Sequence, residues 1–202
     1  EGGGVMTDAI AVLNAGSSSI KFSLFAQSGD DLELKVRGQA EAIHTAPRFS
    51  AKNPAGETIS SHAWDEGTSL GHDGALEHIV AFLRDKLQGL SLKGIGHRVV
   101  HGGLEYALPV RVDRKVLDDL AQFIPLAPLH QPHNLTPIRL LLERQASLPQ
   151  VACFDTAFHR AQPEIAQMFA LPKELHDAGV RRYGFHGLSY EYIASRLPQL
   201  DP

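Results

Sequence analysis

The segment from Asn14 to Lys21 concentrates groups that could hold an anion. It reads Asn-Ala-Gly-Ser-Ser-Ser-Ile-Lys, so it combines hydroxyl groups, backbone N–H groups and one ammonium in a short turn. Phosphate suits such a set, because oriented N–H donors and an ammonium complement its charge. The segment is not a Walker A loop, since the G-x-x-x-x-G-K-[ST] pattern is missing. A plain hairpin is the competing hypothesis, because Asn, Gly and Ser favour turns in general.

Arg98 is the second candidate. The run Gly96-His97-Arg98-Val99-Val100 places it inside an otherwise apolar predicted strand. An unpaired guanidinium would be costly to desolvate there, so we predict an anionic partner. The partner is either a structural carboxylate or a substrate carboxylate or phosphate, because the arginine fork matches all of these.

Asp155 is the third candidate. It directly follows the apolar run Val151–Phe154, and α/β folds present carboxylates to a cleft at such strand ends. Mg²⁺ ligation is one interpretation of this position. A helix N-cap is the other, with the carboxylate accepting from backbone N–H groups ahead of Phe158 and His159.

Histidines occur in two loops that are rich in Pro or Gly. His130 lies in the loop Pro128–His133, and His186 lies in the loop Arg182–Gly187. Either histidine could serve a site. The pairs His97/His101 and His130/His133 also suggest zinc. Because Cys153 is the only cysteine and these spacings are common, we favour histidines whose ring nitrogens hydrogen-bond within the protein.

These side chains must be positioned by strands and helices. Alternation of apolar residues predicts three opening strands, at Ala9–Leu13, Ile20–Leu24 and Leu32–Gln39. A 3.6-residue period predicts a helix from Leu76 to Leu90, which feeds a buried strand over Gly94–Val100. The intervening segment, residues 47–74, is predicted as loops around one strand.

Later signals complete an α/β pattern, with a further strand predicted over Val151–Phe154. Asp113 is predicted to cap one helix, and Asn134 or Thr136 to cap the next. Two more helices are predicted over residues 163–170 and 189–197. Three opening strands followed by alternating helices and strands predict a layered α/β fold, with function where strand ends meet loops.

Composition excludes several classes of protein. A hydrophobic fraction of 43% and a charged fraction of 21% are typical of globular domains. A net charge of -4 without a basic cluster argues against a nucleic-acid partner. No apolar run approaches the roughly 20 residues that span a bilayer. The lone Cys153 allows no internal disulfide, which favours a reducing, cytoplasmic setting.

Five motifs together carry a family resemblance. LNAGSSSIKFSLF, GHRVVHGG, APLHQPHN, FDTAFH and RRYGFHG occur in this order from Leu13 to Gly187. The sequence resembles the acetate kinase family, which has propionate and butyrate kinases as close relatives. The resemblance implies the actin-like, Hsp70-like and sugar-kinase-like (ribonuclease-H-like) α/β fold, in which a mixed sheet is flanked by helices. In this fold two related domains are hinged around a nucleotide cleft.

The resemblance also implies roles for individual residues. Arg98 would bind the carboxylate or the transferring phosphoryl group, His186 would stabilise the equatorial oxygens in the transition state, and His130 would support it. The phosphoryl side of the cleft would be lined by Asn14, Ser17, Ser19 and Lys21. Asn14 and Asp155 would hold Mg²⁺ or Mn²⁺. The apolar wall around the acid would consist of Val100, Leu129 and Phe185.

This residue set suits direct transfer from ATP to acetate or another short carboxylic acid. A carboxylate with a pKa near about 4.3 is ionised at neutral pH and can attack phosphorus without a general base. The enzyme must align two anions and neutralise the transferred group, which calls for Arg, His, a metal ion and backbone donors. We therefore expect in-line transfer without a covalent phosphoenzyme.

The resemblance finally implies a domain division. Residues 6–155 would form a first domain without its C-terminal helices, and residues 156–202 the start of a second domain. Independently of the resemblance, Glu1–Val5 is interpreted as a cloning remnant before Met6, because Gly2, Gly3 and Gly4 have nothing to pack. Family members are longer, and their second half carries the adenosine pocket, a second arginine and a glutamate near the metal. We therefore expect these residues alone to be inactive and the full-length protein to be a homodimer. Propionate or butyrate kinase, and a non-catalytic phosphate-binding module of the same fold, are the alternatives.

Overall fold

One mixed sheet organises the part of the chain that the computed structural model describes, residues 6–200. Its strands are β1 (Thr7–Ala15), β2 (Ser19–Ser28), β3 (Asp31–Glu41), β4 (Arg48–Lys52), β5 (Thr58–Ala63), β6 (Leu90–Val99), β7 (Val110–Arg111) and β8 (Gln150–Phe154). They lie in the order β5-β4-β3-β2-β1-β6-β8-β7. The interpretation of Glu1–Val5 as a cloning remnant lies outside the described residues.

The sheet has an antiparallel half and a parallel half. Successive strands from β1 to β5 pair antiparallel, whereas β6 pairs parallel with both β1 and β8. Parallel strands end at the same edge of a sheet, and functional groups of α/β folds gather there. Arg98 lies opposite Cys153 in this register. The ends of β1, β6 and β8 therefore bring Asn14, Arg98 and Asp155 to one edge.

Three helices lie between strands of the sheet, and three more follow the last strand. They are α1 (Gly71–Lys86), α2 (Arg114–Ala121), α3 (Gln131–Arg144), α4 (Glu164–Gln167), α5 (Lys173–Asp177) and α6 (Gly187–Leu200), with 3₁₀ turns at Ile124–Leu126 and Phe158–Ala161. The predicted cap of α2 is confirmed, since Asp113 accepts from the Val116 N–H at 2.8 Å. Among the described residues, none of the helices has both the length and the apolarity needed to cross a bilayer.

The two faces of the sheet are covered unequally. On the inner face, α1 and α3 pack over buried strand residues such as Leu13, Phe22 and Ile95. The outer face is defined by residues that border an open groove of about 590 Å³: Ile10, Val12, Gly94, Gly96, Arg98, Val151 and Cys153. Leu188, near the start of α6, also borders this groove. The inner face therefore holds the core, while the outer face stays partly exposed.

Most predicted elements are confirmed, with shifted ends. The three opening strands and the strand after Gln150 are present, and so is the C-terminal helix. The helix predicted from Leu76 to Leu90 instead runs from Gly71 to Lys86, with Leu87 as its C-cap. A turn follows, in which Gly89 adopts a left-handed conformation with φ of 77° that glycine reaches without a Cβ clash, and Leu90 begins β6.

The prediction of loops around a single strand in residues 47–74 is wrong in part. This segment contains the β4–β5 hairpin, which extends the antiparallel half of the sheet. Phe49 and Ala51 alternate with polar neighbours and are buried, so β4 does carry a strand pattern, although a short one. The helix predicted over residues 163–170 is also reduced, to the single turn Glu164–Gln167.

The predicted start of the third helix is wrong as well. Helix α3 begins at Gln131 rather than after Asn134 or Thr136. Pro132 lies in its first turn, where a missing N–H leaves no intrahelical bond unmade. Thr136 lies inside the helix and its hydroxyl donates to the Pro132 carbonyl at 2.9 Å. Asn134, also inside the helix, serves the candidate site described next.

Candidate active site

Arg98, Asp155 and Asn14 form one hydrogen-bonded group at the carboxyl ends of the parallel strands. Arg98 donates from Nε to Asp155 Oδ2 at 2.9 Å, and its Nη2 donates to the same oxygen. Arg98 Nη1 donates to Asn14 Oδ1 at 3.2 Å. The Asp155 side chain is 2% exposed, whereas that of Arg98 is 31% exposed. The arginine is therefore held by a buried carboxylate while its side chain as a whole stays partly exposed.

The geometry shows what Arg98 and Asp155 contact within the described residues. Arg98 pairs with the Asp155 carboxylate, the structural carboxylate of the first interpretation, and binding of a substrate anion by the same guanidinium stays a prediction. Asp155 is not a helix N-cap, since the following 3₁₀ turn has Ala157 at its cap position and no side-chain cap. The backbone carbonyl of Asp155 instead accepts from the Gly187 N–H at 2.8 Å. A Cβ on Gly187 would clash with that carbonyl, so the close approach requires glycine.

The polar turn between β1 and β2 lies beside this group. It is closed by the Gly16 N–H, which donates to the Ser19 carbonyl at 2.8 Å. Asn14 and Lys21 are cross-strand partners, so their side chains lie on the same, outer face of the sheet. Ser17 is exposed and Ser19 partly exposed, and the Lys21 side chain is exposed. The structure thus places Asn14 in contact with Arg98, and Ser17, Ser19 and Lys21 around the same turn.

Two buried amides at the start of α3 hold the strand ends together. Asn134 accepts from the Val100 N–H at 2.9 Å and donates to the Ala15 carbonyl at 2.6 Å. Gln131 accepts from the His101 N–H at 3.0 Å and donates to the His101 carbonyl at 2.9 Å. Neither role was predicted from the sequence. The only signal was that these two amides recur three residues apart, on one face of a helix.

The residues of the predicted apolar wall are placed unequally. Val100 is buried, at 4% exposure, directly after β6. Phe185 is half-exposed and its ring lies edge-on to that of His101, with centroids 6.4 Å apart. Leu129 is 75% exposed. The structure therefore places Phe185 beside His101, the residue that follows Val100. Leu129 is not part of a buried wall in the described residues.

The two predicted catalytic histidines are exposed. His130 occupies the position before α3, and His186 lies just before α6. Within residues 6–200, neither side chain hydrogen-bonds to Arg98 or Asp155. His186 has a φ of 59°, a left-handed conformation that few non-glycine residues adopt, and its carbonyl accepts from the Ser189 and Tyr190 N–H groups.

Two further histidines of the zinc hypothesis, His97 and His101, are buried and hydrogen-bonded. His97 Nε2 donates to Gln150 Oε1 at 2.8 Å, and burial lowers the pKa of His97 to about 4, against the partial opposing effect of this bond. His101 Nδ1 accepts from the Gly103 N–H at 3.2 Å, and burial also lowers the pKa of His101. Both are therefore neutral residues with structural partners.

Asn14 and Asp155 are the site residues whose side-chain oxygen atoms could ligate a divalent cation. No group of three or more His, Cys, Asp or Glu residues within residues 6–200 could hold a metal ion. Asn14 Oδ1 and Asp155 Oδ2 both accept from Arg98, whereas Asp155 Oδ1 does not. Mg²⁺ often uses one or two protein oxygens and takes its other ligands from water and substrate phosphates, so this donor set fits such an ion.

The sheet order and this edge define a class of protein. The chain has the actin-like, ribonuclease-H-like α/β fold, with a polar turn between its first two strands and an Arg–Asp pair at the ends of the parallel strands. The profile of the Acetokinase family matches residues 9–200, and the chain belongs to this family.

Relatives and solved structures agree with this family. An acetate kinase from Rhizobium meliloti is 49% identical over 193 residues, which are 96% of this chain and 49% of the relative. An acetate kinase from Nitrobacter hamburgensis is 46% identical over 196 residues, 96% of this chain and 48% of the relative. The crystal structure of a propionate kinase from Francisella tularensis matches with a TM-score of 0.82 and 33% identity, and that of Porphyromonas gingivalis acetate kinase with 0.80 and 32%. Each match covers 96% of this chain and 49% of the other. The chain spans about half the length of the curated relatives it matches.

Proposed function

We propose that the full-length protein is an acetate kinase, which transfers a phosphoryl group reversibly between ATP and acetate. The observation that carries this proposal is the group formed by Asn14, Arg98 and Asp155 beside the Asn14–Lys21 turn. The partly exposed Arg98 side chain thus lies beside the backbone and hydroxyl donors of the turn. Such a set of donors suits the binding of acetate and a transferring phosphoryl group next to each other. The names of the relatives support the same reaction.

Arg98 supplies the alignment of the two anions. Its Nε and Nη2 are held by Asp155, so the guanidinium has a fixed position before substrate arrives. The exposed part of the fork can bind a carboxylate or a phosphoryl oxygen, because both match its geometry. A preorganised donor of this kind stabilises developing charge without reorganisation during the reaction. Acetate attacks as the ionised acid, so no side chain has to remove a proton.

The Asn14–Lys21 turn, with the side-chain oxygen atoms of Asn14 and Asp155, would bind the nucleotide phosphates and their metal ion. Ser17, Ser19 and Lys21 surround the position where the phosphate chain would lie, and Lys21 adds a positive charge. Asn14 and Asp155 Oδ1 would hold Mg²⁺ or Mn²⁺. Such an ion neutralises charge on the transferring group when bound. Arg98 and the metal ion would both contact Asn14 and Asp155. Asn14, Arg98 and Asp155 would therefore fix the position of the metal ion relative to the acid.

The histidines and the apolar wall would complete the site on substrate binding. His186 and His130 would contact the transferring group, and Val100, Leu129 and Phe185 would surround the methyl group of acetate. His186, Leu129 and Phe185 are exposed in this chain, so these roles require them to be covered by substrate or by further polypeptide.

The remaining half of the relatives' length has its own part in this proposal. We assign residues 6–155 to a first domain and residues 156–202 to the beginning of a second domain. The rest of the full-length protein would supply the adenosine pocket, further catalytic side chains and the helices that cover the outer face. The full-length protein would be a cytoplasmic homodimer, and these residues alone would be inactive.

A propionate kinase is the second candidate. The observation that favours it is the propionate kinase of Francisella tularensis, whose solved structure matches this chain with a TM-score of 0.82. One extra methylene changes specificity by only about 1–3 kcal/mol, so a small change around Val100 could convert one preference into the other.

The test is acyl phosphate formation by the full-length protein, trapped with hydroxylamine, with acetate, propionate and butyrate in parallel. We expect the largest kcat/KM with acetate. We expect Arg98→Ala to lower it by about a thousandfold, because a preorganised transition-state donor is lost. Arg111→Ala is the matched control, since Arg111 is an exposed arginine at the edge strand β7.

Two results would overturn the proposal. Acyl phosphate formation by Arg98→Ala at the rate of Arg111→Ala would remove Arg98 from the site. Phosphate binding by the full-length protein without acyl phosphate from any of the three acids would instead identify a non-catalytic binding module of the same fold.

A further inference from the structure

The four consecutive carbonyl groups of residues 15–18 each accept a hydrogen bond from a distant part of the chain. The Ala15 carbonyl accepts from Asn134 at 2.6 Å, and the Ser18 carbonyl accepts from the Ile43 N–H at 3.2 Å. Between them, the Gly16 carbonyl accepts from His72 Nε2 at 2.7 Å and the Ser17 carbonyl from His44 Nε2 at 3.2 Å. Two histidines distant in sequence thus bind consecutive peptide groups of the turn.

Fixing a carbonyl also fixes the next N–H. The C=O and the following N–H of a trans peptide point in opposite directions, and the described residues contain no cis peptide bond. The His72 bond to Gly16 therefore turns the Ser17 N–H away from α1, and the His44 bond turns the Ser18 N–H likewise. Neither N–H donates to another group within residues 6–200. Both are free to meet an anion at the turn.

His72 is the better held of the two histidines. It lies in the first turn of α1, is 9% exposed and makes the shorter bond. Its ring stacks on that of His133 from α3, with centroids 5.1 Å apart and planes 13° apart. The His44 ring lies on it from another direction, at 5.6 Å. The ring is thus confined by α3 and by the segment after β3, so its Nε2 has one direction to donate.

We propose that His72 is a positioning residue of the anion-binding turn, where its Nε2–H holds the Gly16 carbonyl so that the Ser17 N–H faces the phosphate. This inference rests on the proposed function, in which the turn binds nucleotide phosphates. His72 itself touches no substrate. Its effect reaches the phosphate through one peptide group, and His44 has the same effect on the next peptide group.

Two variants of the full-length protein separate the donor from the ring. His72→Phe keeps an aromatic ring that can stack on His133 but lacks the N–H, whereas His72→Gln keeps an N–H donor but lacks the ring. We expect His72→Phe to raise the KM for ATP or lower kcat/KM for ATP about tenfold, because a misplaced donor weakens phosphate alignment. The KM for acetate should change little. His72→Gln should recover most of the loss.

His78→Phe is the matched control. His78 is also a partly buried histidine of α1, and its ring packs against Phe49 and Trp64 rather than against the turn. Its kinetics should stay within about twofold of the parent. If His72→Phe matches this control, or if His72→Gln is the more impaired of the two His72 variants, the histidine acts only through packing and the proposal is wrong.

Hydrogen exchange decides the inference independently of catalysis. Saturating inorganic phosphate should slow amide exchange in a peptide over residues 14–21 of the parent and of His72→Gln, and less so in His72→Phe. Failure of the proposed function would show as a lack of acyl phosphate while this pattern of protection persists. Equal protection in all variants, or no protection in the parent, would overturn the positioning role.

Discussion

The sheet region, residues 7–156, and the segment that follows it, residues 157–200, differ in how they treat their apolar side chains. In the sheet region, large residues such as Phe49 of β4, Phe154 of β8 and Leu120 of α2 are fully buried. In the following segment only Gly187 is buried within the described residues, and the apolar side chains of α6 are exposed, with Ile193 at 55% and Leu197 at 54%.

The candidate site is divided along the same line. Arg98, Asp155 and Asn14 are hydrogen-bonded by the register of strands that already have a core. His186 and Phe185 lie in the second region and remain exposed. The charged part of the site is therefore preformed by the sheet, whereas the part that would close over the substrate depends on contacts that residues 157–200 do not make among themselves. Exposed apolar surface of this kind commonly marks an interaction face.

The largest expected effect breaks the preformed part. In the full-length protein, Asp155→Asn keeps the shape but removes the charge that holds Arg98 and would bind the metal, so kcat should fall by about 10²–10³. Asp113→Asn is the control, because Asn replaces Asp well at a helix N-cap. Acyl phosphate assays check both. Similar kcat values for the two variants would show that the Asp155 carboxylate is not needed.

The second effect concerns pH and the buried His97. Its folded pKa of about 4 lies below the usual value of 6.5, so the unfolded chain binds more protons between these pH values. The contribution of neutral His97 to the free energy of unfolding is fully present above pH 6.5. It is lost as pH falls towards 4, by about 3 kcal/mol at most. Urea unfolding of the parent and of His97→Gln at several pH values measures the difference. Parallel pH profiles for the parent and His97→Gln would contradict the lowered pKa of His97. His130→Gln is the control, because it removes an exposed histidine.

The third effect concerns the tie between strand ends and α3. Asn134→Ala leaves the Val100 N–H and the Ala15 carbonyl without their partner, so the free energy of unfolding should fall by about 2–3 kcal/mol. Thr136→Ala, in the same helix, removes only a bond to the Pro132 carbonyl and should have a smaller effect. Denaturant titration compares them. Equal losses would mean that the tie does not support the sheet edge.

The smallest effect is expected in the second region. Ile193→Ser on α6 should change the free energy of unfolding of this chain by no more than about 0.5 kcal/mol, since the side chain is already 55% exposed. The same substitution at Ile138, which is fully buried, should destabilise by several kcal/mol. Thermal or urea unfolding measures both. A loss above about 1 kcal/mol at Ile193 would remove the distinction between the two regions.

The sequence predicted the sheet better than it predicted the helix starts. Strands β1 to β3 alternate over many residues, and the second half of β6 alternates buried with partly buried residues, so periodicity was sufficient for them. Strand β4 offers only Phe49 and Ala51 as inward residues, which is too short a pattern. Asn134 is of a residue type that often caps helices, but its tertiary contacts to Val100 and Ala15 decide its position inside α3.

The candidate site was predictable as a set of residues but not as a geometry. The motifs pointed to Asn14, Arg98 and Asp155, yet the pairing of Arg98 with Asp155 spans 57 positions and depends on strand register. The role of His72 was not predictable, because a single histidine at a helix start carries no local signal of its bond to Gly16. Contacts of this kind follow from how α1 and α3 pack on the sheet, which periodicity does not specify.

The most direct test of the central claim is a titration of the protein with inorganic phosphate, followed by NMR of Arg98 Nε and of the Ser17 and Ser18 amides. If the turn and the Arg–Asp group serve one anion, all three resonances should shift with a single saturation constant while amides of α6 stay unchanged. Separate saturation constants for the arginine and the turn, or shifts confined to α6, would contradict a shared anion site at the ends of β1, β6 and β8.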